Sequence, residues 1–327
     1  MRWRNGIDAK DSLLVWDRRA YGLELIRPPA LARPSMKIGL FAINYGTCAD
    51  PAAAIEVAGY AESAGFESVW TGEHLVVPDP PRSTRAFPPS MPFLDTTVAL
   101  TLVAAHTTTL KVASGIIVLP LRNPVVLAKE LASIDVASHG RLIVGVAAGY
   151  VPEEFGAAGV PMATRHQRMD DYLQALRALW SMDRPRHHGP FVSFDRINAY
   201  PRPVQRPGPP IITGGDSRAA LVRAVTMANG WYGFDVDLSA RLDALRQVAA
   251  EHERPAGLGP LEITVTPTGT LDSDVIDYYE DLGVDRLVLL PQPDADSGHK
   301  HRPVPLDQIK RNIDFVTAQI HRRRRGR

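Results

Sequence analysis

A single cysteine, Cys48, is all the chain carries, so no internal disulfide framework is possible and a reducing, cytoplasmic setting is expected. Net charge is almost missing as well. Lys and Arg total 37 against 36 Asp and Glu, leaving +1, which removes the bulk field that a nucleic-acid or membrane-surface binder presents. Five of those arginines lie in the terminal "HRRRRGR"; without them the body is +1 − 5 = −4. Residues 322–327 are therefore expected to form a solvated, frayed basic tail. No apolar run approaches the roughly 20 residues of a membrane helix. No small-residue cleavage site follows a hydrophobic core near the start, so no signal peptide is expected. Residues 1–35 lack clean periodicity and end rich in proline, whereas a sharp strand starts at Met36. They are read as an extension, with Met36 as the natural first residue and 36–321 as one domain.

Other absences bear on chemistry. No strand-like run ends in lysine; Lys37 and Lys111 begin theirs, which disfavours a Schiff-base aldolase. No pair of histidines brackets one residue at the first strand, as a metal hydrolase of this kind requires. His299 and His301 lie in a loop past the last strand, His187 and His188 in a solvated insert, and His106 and His139 at helix ends. No G-x-G-x-x-G follows a strand, so the nicotinamide fingerprint is missing.

What is present is an alternation. The continuous apolar runs "KIGLFAI", "SVWT", "KVASGIIVLP", "RLIVGVAA", "PPIITG", "GWYGF", "EITVTPTG" and "DRLVLLP" each precede an amphipathic helical segment. Such runs suit strands covered on both faces. Glycines 65, 140, 230 and 283 stop helices, and Asp or Pro starts several. Eight strands each followed by a helix predict a (β/α)8 TIM barrel with insertion segments; a doubly wound open sheet is the alternative. Two long polar inserts, after His74 and before the fifth strand, break the rhythm, and loops of that length are commonly functional.

Barrel chemistry sits at the C-terminal ends of strands. Asn44, Tyr45, Gly72, Glu73, His74, Ala148 to Tyr150 and Thr213 to Asp216 fall there. "ITGGDSRAA" is strand, di-glycine and helix start, with Asp216 or Ser217 near the N-cap: a phosphate cradle or a plain tight turn. Arg165 and Arg168 open a helix at the same rim, either to meet that anion or to face solvent. Ser114-Gly115 in mid-strand marks a bulge or a close approach by something flat.

The stretch "ASGIIVLPLRNPVVLAKELASIDVASHGRLIVGVAAGY", with "VWTGEH", "RMDDYLQALRALW", "FVSFDRINAYPRPVQ" and "PPIITGGDSRAA", resembles the luciferase-like monooxygenase superfamily over roughly residues 36–290. More narrowly it is similar to the branch that uses the deazaflavin coenzyme F420. The resemblance implies a tricyclic ring on Ser114-Gly115 beneath Phe41 and Asn44, with a non-proline cis bond between Ser114 and Gly115. The tail and phosphate then meet Gly149, Tyr150, Arg165, Gly214, Gly215 and Ser217. His74 becomes the catalytic base or hydrogen-bond donor, since imidazole suits proton transfer near neutrality. Glu73, Phe87, Met91 and Phe93 are placed against the substrate, with the proline-rich insert as a lid. Sugar-phosphate dehydrogenases of the superfamily carry a glutamate where Tyr150 stands, which argues against that substrate. The expected protein is an F420-dependent oxidoreductase acting on a small organic molecule, with a homodimer possible. FMN with oxygen on the same fold, or a non-catalytic cofactor binder, are the alternatives.

Overall fold

Eight of the apolar runs close into a parallel barrel in this computed structural model, which describes residues 36–82, 87–293 and 303–326. The extension at 1–35 and the histidines 299 and 301 lie outside the described residues. The strands are Lys37–Leu40, Ser68–Thr71, Lys111–Ser114, Leu142–Ala147, Ile211–Gly214, Gly230–Phe234, Glu262–Thr266 and Arg286–Leu289. Each pairs with the next, and the first pairs with the eighth, which shuts the ring. The helices between them are α1 Pro51–Ser63, α2 Thr96–His106, α3 Pro124–Ala137, α4 Pro152–Ala157, α5 Arg165–Ser181, α6 Arg218–Met227, α7 Leu238–Glu251, α8 Ser273–Asp281 and α9 Leu306–Gly326.

Capping chemistry fixes where those helices begin. Asp50, Asp95, Asn123, Ser217, Asp237 and Asp272 each accept a backbone N–H from the first turn. Gly65, Gly140 and Gly283 stop helices in the left-handed region, as expected. Gly230 does not; α6 ends at Met227 and Gly230 opens the sixth strand. The backbone of α9 continues to Gly326, so the tail expected to fray is helical through that residue, and Arg323 pairs with Asp277 and Glu280.

Two apolar layers result. A large core fills the space between strands and helices. A smaller one, built from Phe41, Trp70, Ala113, Ile143, Ile212, Tyr232 and Val288, plugs the barrel interior. Trp70 and Tyr232 stack there, with ring centroids 5.4 Å apart. Below them an ion network closes the N-terminal mouth, where Arg286 meets Glu67 and Glu262, with Lys111 and Lys37 behind. Among the described residues no helix is long and apolar enough to cross a membrane, and no cluster of three or more His, Cys, Asp or Glu could hold a metal.

The insert before the fifth strand forms a small hairpin, His187–His188 against Ser193–Phe194. Buried Asp171 of α5 holds it, accepting from the backbone of Phe191 and Val192 and meeting His187 Nε2 at 2.6 Å. Only His188 of that pair is exposed to solvent, so the expectation of two solvated histidines holds for one.

Candidate active site

The third strand does not run straight, and its irregularity builds the floor of the site. Ala113 lies opposite Ile143, but Ile117 lies opposite Val146: four residues advance against three, one more on the third strand. The cis bond expected between Ser114 and Gly115 falls one bond later, between Gly115 and Ile116. Ser114 stays in the ladder opposite Thr71, and its hydroxyl exchanges two 2.8 Å hydrogen bonds with the backbone of Gly145. The chain therefore leaves regular geometry only at Gly115. Glycine is required across from it, because a Cβ on Gly145 would sit 1.9 Å from the Ser114 carbonyl oxygen.

Above this floor, at the C-terminal ends of the strands, opens a cleft of about 710 Å³, within the range of ligand sites. It brings together Phe41, Glu73, His74, Phe87, Phe93, Gly115, Gly149, Tyr150, Arg165, Gly214, Gly215 and Ser217 from the expected set. Three others stand apart. Ser114 is spent on Gly145. Met91 is buried outside the cleft. Asn44, also buried, donates to the Gly72 and Leu94 carbonyls and accepts from Gly72 N, each at 2.8 Å. It ties the second strand's end to the base of the insert instead of facing a ring. Asn44→Ala should therefore cost about 1–3 kcal/mol by orphaning those groups; an unchanged urea midpoint would show that the tie is unimportant.

One end of the cleft is aromatic. The His74 ring packs edge-on against Phe87 and Phe93 at 5.5 and 5.3 Å, and Tyr45 meets Phe87, Phe93 and Phe41. Tyr150 stands at the opening, 76% exposed. Burial pushes the Tyr45 phenol upward, so it stays neutral. Glu73 reaches the cleft wall, yet its carboxylate is spoken for. It accepts from Val118 N at 2.6 Å and from Arg122 at 3.0 and 2.5 Å, and its side chain is 2% exposed. Burial raises its pKa while Arg122 opposes the rise. Its visible role is to pin the strand beyond the bulge.

The rest of the lining carries charge of both signs around a helix start. Arg165 at the start of α5, His166 beside it and Arg223 from α6 converge on the N-terminus of α6, where Ser217 caps the helix and Gly215 has φ +110. Burial and the neighbouring Arg165 and Arg223 charges lower the His166 pKa, and its buried Nδ1 has no partner among the described residues. Arg223 is paired with Asp170, and Asp216 and Asp235 also border the cleft. Arg168, expected at the same rim, turns away to stack its guanidinium 4.4 Å from the Phe191 ring centroid.

Sequence reasoning missed Glu154, His166 and Arg223, whereas Thr213 lines the cleft as expected, its buried hydroxyl without a partner among the described residues. Glu154 lies in the short helix α4, within "GYVPEEF", where a Pro at the first helical position followed by acids was the available signal. Its Oε1 accepts Leu75 N at 2.8 Å and lies 3.3 Å from His74 Nδ1.

Comparison with known proteins agrees with this architecture. A family model described as luciferase-like monooxygenase matches residues 36–289. A Mycobacterium tuberculosis protein described as uncharacterized is 30% identical over 272 residues, covering 80% of this chain and 94% of that relative. An FMNH(2)-dependent dimethylsulfone monooxygenase of Pseudomonas putida is 36% identical over 170 residues, covering 50% of this chain and 46% of that one. Among solved structures, an F420-dependent secondary alcohol dehydrogenase in complex with an F420-acetone adduct superposes with a TM-score of 0.71 at 15% identity. That match covers 88% of this chain and 99% of that one.

Proposed function

The chain belongs to the luciferase-like monooxygenase family, and from that premise we propose that it is an F420-dependent oxidoreductase acting on a small, largely apolar organic molecule. The observation that carries this reading is one cleft that joins Arg165 and the α6 N-terminus to an aromatic cluster built around a histidine. The residues present fit the coenzyme. Among the described residues His166 Nδ1 and Thr213 Oγ1 are buried polar atoms without partners, and the α6 N-terminus with Arg165 suits a phosphate. Phe41, Gly115 and Ile116 would hold the ring; Gly149, Tyr150, Arg165, Gly214, Gly215 and Ser217 would hold the tail.

When bound, the deazaflavin supplies the carbon that gains or loses a hydride. The chain must then manage the accompanying proton. His74 is the group in the aromatic cluster able to hold it, and Phe87 and Phe93 pack edge-on against its ring. Glu73 cannot substitute, because Arg122 and Val118 N engage its oxygens.

FMN with oxygen is the second reading, supported by 36% identity to the FMNH(2)-dependent dimethylsulfone monooxygenase. Titration of the protein with F420 and with FMN, followed by fluorescence, separates the two. Saturable binding of F420 is expected; tight FMN binding with none for F420 would replace the first reading by the second.

A further inference from the structure

We propose that Glu154 is a positioning residue that fixes the tautomer of His74, holding the proton on Nδ1 and leaving Nε2 bare toward the cleft. This rests on the reading of His74 as the proton-handling group. Glu154 comes from helix α4 after the fourth strand, not from the strand end, where Tyr150 stands. Its carboxylate is 2% exposed and Oε1 lies 3.3 Å from His74 Nδ1.

Two observations set the direction of the proton. His74 Nδ1 is buried, and no other group among the described residues offers it a hydrogen bond. The contact with Glu154 is itself long and off the ideal angle, so it orients more than it binds. Glu154 Oε1 already accepts Leu75 N, and so presents a lone pair to the imidazole whatever its partner oxygen carries. A bare Nδ1 would set two lone pairs against each other in a buried place; an Nδ1–H would not. With Nδ1 committed, Nε2 is the nitrogen left to the cleft, and the His74 side chain is 14% exposed. A bare Nε2 accepts a proton from a substrate hydroxyl; an Nε2–H would have to lose its own first.

The same glutamate does a second task. Through Leu75 N it fixes the first residue of the insert, so the ring and the backbone that follows it share one anchor. Arg82 reaches the neighbouring Glu153 with bonds of 2.9 and 2.7 Å, a further tie between the insert and α4.

Long-range proton–nitrogen NMR on histidine-labelled protein, with no coenzyme added, tests this directly. The His74 signals are identified by their loss in His74→Asn. At a pH where the ring is neutral, the expected spectrum shows a protonated Nδ1 and a bare Nε2, the reverse of imidazole's usual preference in water. Glu154→Leu removes the lone pair that faces Nδ1, so the major form should move to Nε2–H. An Nε2–H form in the unsubstituted protein would overturn the proposal, and so would an unchanged tautomer in a folded Glu154→Leu. The unsubstituted spectrum decides alone if that variant does not fold. Because no coenzyme is present, failure here is distinct from failure of the F420 reading, which the binding titration reports.

Discussion

Replacing His74 by alanine should lower turnover by about 10²- to 10⁴-fold while leaving coenzyme affinity within a few-fold of the unsubstituted protein. That range is what removal of a positioned general acid or base costs. The imidazole packs against the Phe87 and Phe93 rings, whereas the coenzyme's tail is proposed to rest on Arg165 and the α6 N-terminus. Its loss should therefore act on kcat more than on binding. The measurement is steady-state turnover, with a substrate found by screening through deazaflavin absorbance, beside a binding titration of both proteins. Undiminished turnover would remove His74 from the chemistry.

The second large effect concerns stability and lies at the opposite mouth. Arg286 opens the eighth strand with its side chain 1% exposed, and it donates to Glu67 at 2.9 and 3.1 Å, to Thr264 at 3.0 Å and to Glu262. Removing one partner of a buried ion network leaves uncompensated charge, so Arg286→Met should cost about 3–5 kcal/mol at neutral pH. The pH dependence has a definite sign. Burial alone would raise the Glu67 pKa, but the Arg286 charge and bonds, then those of Lys111, bring it down to about 2. Glu262 is lowered likewise, with Arg286 and Lys37 outweighing burial. Carboxylates depressed in the folded state contribute stability above their unfolded pKa of about 4.3 and lose it as pH falls toward 2. Without Arg286 the same carboxylates are more easily protonated when folded. The stability gap between the two proteins should thus be widest near neutrality and shrink on acidification. Denaturant midpoints between pH 7 and 3 would show this; a gap that grows as pH falls would contradict it.

The barrel was legible because period and length agree along the chain. Runs such as "SVWT" and "GWYGF" coincide with observed strands to the residue, since flanking Gly, Pro and Asp leave little choice of boundary. The bulge after Ser114 was legible for a similar reason: glycine inside an apolar strand needs an explanation. Its position was read one bond early, because what fixes it is a hydroxyl bridging to Gly145, and strand-to-strand contacts 31 residues apart leave no local trace. The same limit applies to Asn44, Glu73 and Glu154. Each sits where a rim residue should, yet whether its polar atoms face the cleft depends on partners from other βα units: Gly72 and Leu94, Arg122 and Val118, His74 and Leu75. Arg168 was misplaced because the hairpin carrying Phe191 offers its guanidinium an aromatic face, and nothing in α5 alone announces that.

Dissociation constants for the phosphorylated coenzyme and for its phosphate-free ring compound, measured on the unsubstituted protein and on Arg165→Ala, test the proposed seat most directly. Arg165 lines the cleft and, among the described residues, makes one hydrogen bond, Nη1 to the Met162 carbonyl. A charge-assisted contact to phosphate should be worth roughly ten- to a hundredfold in affinity. The expected result is that loss for the phosphorylated coenzyme alone, with the phosphate-free compound binding both proteins equally. Equal affinity of both proteins for the phosphorylated form, or failure of the unsubstituted protein to bind either F420 or FMN, would contradict a phosphate-bearing ring in this cleft.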